Sequence, residues 1–234
     1  METPTNGDAL AEDEATRGTE PWVSLDACEI GNSGALARAR CARIRMLHLE
    51  TNLVGDAGAI ALAKLPVLGE INLSFNLITD VGAVALARST SLRALYLAGN
   101  RIGDVGAAAL ARNAMLYLLC LNGNQIGDAG ARALGQPATL RILYLGNNLL
   151  SDTGVAEFAK SLEAGNACAL SEAELCCVKR AIGQHAFGEM RRYVGAGNRS
   201  LHDVHLGSAF TSGLPSIRRV QDALQERRRW GYKV

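Results

Sequence analysis

The feature that most constrains this chain is a period of 24 residues that holds in four columns at once. Asn52, Asn76, Asn100, Asn124 and Asn148 are each 24 residues apart. The same step links Leu49, Leu73, Leu97, Leu121 and Leu145. It also links Asp56, Asp80, Asp104, Asp128 and Asp152, and Gly58, Gly82, Gly106, Gly130 and Gly154. Four columns in phase over five units define a repeat architecture. In such a chain no unit buries its own apolar face, and the neighbours supply the core.

One unit shows what each column does. Leu95 and Leu97 alternate with Tyr96, the two-residue period of a half-buried strand. Asn100 stands where the chain turns out of that strand. A carboxamide carries both a donor and an acceptor for backbone groups buried at the turn, so stacked units can form an asparagine ladder through Asn52, Asn76, Asn100, Asn124 and Asn148. Asp104 reads as the N-cap of the helix that follows. Gly106 then keeps the approach to the next layer open, and Ala107, Ala109, Leu110 and Ala111 make a short helix of small residues. The position after the helix is Lys64, Arg88, Arg112, Gln136 and Lys160. A base there complements the helix dipole, so the column reads as local structure rather than a binding stripe. Strands stack about 4.8 Å apart and helices about 8–10 Å apart, so a strand–helix repeat must curve. The expected fold class is α/β, a solenoid with a curved parallel sheet inside and short helices outside.

These columns resemble the leucine-rich-repeat superfamily, in its ribonuclease-inhibitor-like subclass. The segments GAIALA at 58–63, GAVALA at 82–87 and GAAALA at 106–111 are similar to the GALA-type repeats of some bacterial effector proteins. The resemblance covers about residues 22–163. It implies a leucine-rich-repeat solenoid that binds another protein. GALA effectors carry an F-box ahead of the repeats. The first 20 residues here are too short and too acidic for one, so no ubiquitin-ligase role is carried over.

The ends depart from the period. Residues 1–20 hold Glu2, Asp8, Glu12, Asp13, Glu14 and Glu20 against Arg17 alone, with no periodic apolar face, and read as a disordered acidic tail. Residues 21–43 read as a degenerate N-terminal capping repeat, with Cys28 in the asparagine column and Arg38 where Leu62 stands one unit later. Residues 44–165 hold five repeats. Residues 166–234 read as a divergent helical C-terminal cap. Its Ser171 and Glu174 form a capping box, and Pro215 opens a helix with Ile217, Val220 and Leu224 on one face.

Between the strand leucines lie positions that the repeat leaves free, and their identities change from unit to unit. They point to the concave side. From them, His48, Glu50, Glu70, Asn72, Ser74, Tyr96, Asn122 and Tyr144 are the candidate protein-binding residues, with Phe75 in the turn as an exposed anchor. The expected function is a protein–protein interaction scaffold that grips a partner protein through that face. The alternatives are a structural subunit of a larger assembly or an effector-like adaptor.

No catalytic constellation, cofactor or metal site is read. His202 and Asp203 would point to opposite faces of a strand, His202 and His205 would need zinc ligands from elsewhere, and the glycines follow the repeat rather than a phosphate loop. A net charge of +1 argues against nucleic acid as the partner. The C-terminal run Arg227, Arg228, Arg229, Trp230 reads as a solvated helix end. No stretch approaches the 18 or so apolar residues of a membrane helix. The six cysteines, Cys176 and Cys177 among them, lack paired spacing, and no signal segment is read. Reduced thiols in the cytoplasm are therefore expected.

Overall fold

The computed structural model describes residues 7–9, 21–136, 139–140, 142–154 and 157–158. The capping box at Ser171 and Glu174, the helix opened by Pro215, His202 to His205, Cys168, Cys176, Cys177 and the basic C-terminal run lie outside the described residues.

Among the described residues, six three-residue strands form one parallel sheet in chain order: β1 (Trp22–Ser24), β2 (Met46–His48), β3 (Glu70–Asn72), β4 (Ala94–Tyr96), β5 (Leu118–Cys120) and β6 (Ile142–Tyr144). Each pairs with the next in the register of the repeat, Leu47 beside Ile71 beside Leu95 beside Leu119. Between strands run α1 (Asn32–Arg38), α2 (Asp56–Leu62), α3 (Asp80–Ala87), α4 (Asp104–Ala111) and α5 (Asp128–Leu134). Each helix packs against the next, so sheet and helices form two curved layers of a solenoid. The core lies between them and is continuous, with Leu47, Ile71, Leu95 and Leu119 meeting Leu62, Leu86, Leu110 and Leu134. Helices of seven or eight residues are marginal alone, and this shared apolar layer holds them.

The turn after each strand is built twice over. First, the asparagine side chain ties two units together. Asn100 Oδ1 accepts from Ile78 N at 2.9 Å, while its Nδ2 donates to Leu73 O at 2.9 Å and Leu97 O at 3.1 Å. Asn52, Asn76, Asn124 and Asn148 make the same backward bonds. Second, the residue before each asparagine is left-handed. Gly99 and Gly123 take φ 65° there without cost, but Thr51 (57°) and Phe75 (56°) carry side chains into that region.

The aspartate column corrects the cap expected from sequence. Asp104 is the first residue of α4, whose N-cap is Gly103. Its Oδ1 accepts instead from Gly127 N at 2.7 Å and Gly130 N at 3.0 Å, at the start of the next helix. Asp80 does the same for Gly103 and Gly106, and Asp56 for Thr79 and Gly82. Each aspartate therefore caps the following unit. The glycine column is explained by the same contact. A Cβ on Gly106 would stand 2.7 Å from Asp80 Oδ1 and 2.9 Å from Ala83 Cβ. The close approach is to the preceding layer rather than the next.

Two departures occur at the first unit. Asp8, placed by sequence in a disordered acidic tail, is buried. Its carboxylate accepts from Gly31 N at 2.8 Å, Gly34 N at 2.7 Å and Ser33 Oγ at 2.6 Å. Residues 7–9 are helical, and Asp8 stands 24 residues before Asn32, which caps α2 through Gly55 N and Gly58 N. The cap column thus begins at Asp8. The second departure is Arg38, which fills a core column at 1 % exposure.

Candidate functional site

Alternation within each strand puts the leucines in the core and leaves three columns on the concave side. The first runs Trp22, Met46, Glu70, Ala94, Leu118, Ile142. The second runs Ser24, His48, Asn72, Tyr96, Cys120, Tyr144. The third, just past the strands, runs Asp26, Glu50, Ser74, Ala98, Asn122, Gly146.

The first three units gather a polar group. His48 Nε2 lies 3.5 Å from Glu70 Oε1 across one strand pair. Glu50 Oε2 accepts from Asn72 Nδ2 at 2.9 Å. Asp26 accepts from Glu50 N at 2.7 Å and from Ser24 Oγ at 3.0 Å. Trp22, 53 % exposed, meets the His48 ring edge-on, with ring centroids 6.4 Å apart. His48 titrates above its ordinary value of 6.5. The close contact with the Glu70 carboxylate is the largest cause; burial opposes it, and the charges of Glu70, Asp26 and Glu50 add to it. A proton on His48 therefore settles among three carboxylates.

The later units present a different surface. Tyr96 and Tyr144 flank Cys120 in one column, each partly buried. Burial pushes the Tyr96 phenol well above its usual value, so it remains a neutral donor. Ala94 and Leu118 are buried beside them.

The nine candidate residues divide accordingly. His48 with Glu70 and Glu50 with Asn72 form two neighbouring polar pairs. Tyr96 and Tyr144 form a second surface, and Phe75 stands apart on the turn, 56 % exposed. Ser74 is a correction: it is buried, so it offers no surface. Asn122 is partly committed to structure, its Oδ1 accepting from Gly146 N at 2.6 Å. Trp22 and Asp26, in the first and third concave columns of the first unit, complete the polar group.

Among the described residues no cluster of His, Cys, Asp or Glu could hold a metal ion, and Cys28, Cys41 and Cys120 form no disulfide. Among those residues, too, no helix is long and apolar enough to cross a membrane.

Two family models match the chain, both described as leucine rich repeat, over residues 42–102 and 113–135. No curated protein matches it. Similar solved structures include an internalin (inlF) from Listeria monocytogenes, at 20 % identity and a TM-score of 0.45, covering 76 % of this chain and 51 % of that one. A plant ice-binding protein is similar at 19 % identity and 0.41, covering 60 % and 53 %. Actin-binding site 2 of leiomodin-1 is similar at 16 % and 0.37, covering 97 % and 99 %. The alignments thus span about half the length of the first two.

Proposed function

Starting from the chain as a leucine-rich-repeat protein, we propose that it is an interaction scaffold that grips a partner protein through the concave face. Leucine-rich-repeat proteins generally work by binding other proteins. One observation carries the reading further: the buried columns repeat unit after unit, while the concave columns change at nearly every step. A frame that needed those positions for folding would repeat them too. Binding therefore extends from Trp22 and the His48–Glu70 group at one end to Tyr96 and Tyr144 at the other. Aromatic side chains supply apolar anchors, and charges set orientation. Phe75 supports the same reading. It is an exposed aromatic residue held at positive φ where Gly99 and Gly123 serve in the next two units, and such strain gathers at functional positions.

The concave reading is tested by capturing partners from the native cell with three baits: wild type, a Tyr96→Ala/Glu70→Lys variant, and the convex variant Val105→Ser, which alters an exposed residue on α4. The partner should disappear with the concave variant alone. Equal capture by all three baits would refute it.

Exposed Leu53, Phe75 and Leu77 stand in the turns that lead from strands into helices, and exposed Val81 and Val105 follow in the first turns of α3 and α4. That apolar flank favours a second reading, a structural subunit of a larger assembly. A helix on the convex side of every described repeat supports the ribonuclease-inhibitor-like subclass.

A further inference from the structure

The turns that lead from helices back into strands form the opposite rim, and its charge is one-sided. The first such turn supplies Arg40, Arg43 and Arg45; the next three supply Lys64, Arg88, Arg93 and Arg112. All are exposed. Segments 39–45, 63–69, 87–93 and 111–117 contain no acidic residue. None of these cations has an ion pair among the described residues; the two pairs there, His48–Glu70 and Arg132–Glu157, lie elsewhere. The other rim carries the capping aspartates, whose carboxylates are already held by backbone N–H groups.

Helix dipoles explain part of this rim. Arg40, Lys64, Arg88 and Arg112 each follow a helix end, where a cation is favourable. They do not explain Arg43, Arg45 and Arg93. Arg45 and Arg93 immediately precede strands β2 and β4, two strand spacings or about 10 Å apart. Between them in the same column stands Gly69. A Cβ there would have only Arg45 O within 4 Å, at 3.7 Å, so the space above the backbone is open. The rim therefore has a gap with a guanidinium on either side. Arg93 leans towards the following turn, with Nη1 3.5 Å from Met115 O, and an anion over Gly69 would draw it back. Glu70 is the nearest carboxylate in sequence, but it is turned onto His48.

We propose that this rim is a second binding surface, separate from the concave face, and that it takes an acidic peptide segment of a partner protein. Planar guanidinium groups pair with carboxylates bidentately, and two of them flanking a gap fit side-chain carboxylates of an extended chain. The rim's length suits such a segment. Three repeat steps span about 15 Å at the strands and about 30 Å at the helices, the length of about five to nine extended residues. A large polyanion is disfavoured by the rest of the molecule. The net charge is only +1, and the acidic rim would face a duplex or bilayer broad enough to reach past the basic one.

Fluorescence anisotropy of a labelled decaglutamate peptide tests the proposal on the full chain, with a decathymidine oligonucleotide as the competing probe. Wild type should bind decaglutamate, more weakly as salt rises. Arg45→Gln/Arg93→Gln should weaken binding about tenfold or more, equivalent to losing about 1.4 kcal/mol. Arg45→Lys/Arg93→Lys should lose less, and Tyr96→Ala should bind as wild type does, which separates this surface from the concave one. Unchanged binding by the glutamine variant, no binding of decaglutamate by wild type, or tighter binding of the oligonucleotide would each overturn it.

Discussion

Arg38 occupies the column that holds Leu62, Leu86, Leu110 and Leu134 in the later helices, and it is buried as they are. Its Nε and Nη1 find no hydrogen-bond partner among the described residues. A buried guanidinium with free donors retains a desolvation cost that a leucine in the same column would not carry. Arg38→Leu should therefore raise stability, by about 1–4 kcal/mol. The reading is a higher urea midpoint at unchanged slope, and a lower midpoint would show that the guanidinium is held by an acceptor. His48 gives the second prediction at this scale. Its folded-state value is raised, so the folded chain binds the proton more tightly than the unfolded chain does. The resulting stabilisation is fully present below the unfolded value of 6.5 and is lost as pH rises through the folded value. Glu70→Gln removes the largest cause and leaves burial opposing the charge. The imidazole resonances should then titrate at lower pH. An unshifted titration would assign the proton's stabilisation to Asp26 and Glu50 instead.

At the scale of the element, the decisive feature is that the capping aspartate and the helix it caps belong to different units. The repeat could not reveal this. Asp80 and Gly82 are in phase within one unit, and Asp80 and Gly106 are equally in phase across two, so a periodic pattern reads the same either way. The strand, the asparagine turn and the core face were legible because each rests on spacing within one unit. Asp8 was hidden for a different reason: it continues the cap column, but the residues around it do not repeat. The concave columns were legible from alternation, whereas the burial of Ser74 depends on how closely neighbouring units pack. The direction of capping is open to test. Asp80→Ala leaves Gly103 N and Gly106 N without their acceptor and should cost about 1–2 kcal/mol. Hydrogen exchange should show the loss at the start of α4, with α3 protected as before. If α3 loosened and α4 did not, the aspartate would be capping its own helix. Gly106→Ala should destabilise the same junction by about 1–3 kcal/mol, because the new methyl group presses on Asp80 and Ala83.

At the scale of the whole molecule, stability is shared along one dimension. The described helices and strands pack on their chain neighbours, so the solenoid behaves as units joined by interfaces. The asparagine ladder is a large part of each interface, and its position along the stack decides what its loss does. Asn100→Ala leaves Ile78 N and Leu73 O, both in the preceding unit, buried without their partner. At about 1–3 kcal/mol for each unsatisfied group, the junction between β3 and β4 loses about 2–6 kcal/mol. That junction lies mid-sheet, so weakening it lets the two halves unfold separately. The urea transition should broaden and its slope should fall, because less surface is exposed in each step. Asn148→Ala removes the equivalent bonds to Ile126 N and Leu121 O beside β6, the last of the described strands. There the same chemical change detaches one end and leaves five paired strands together. Its transition should stay steep, with a smaller drop in midpoint. Circular dichroism of the two variants in urea makes the comparison. Coincident curves would mean that the stack unfolds as one body and that no junction within it is independent.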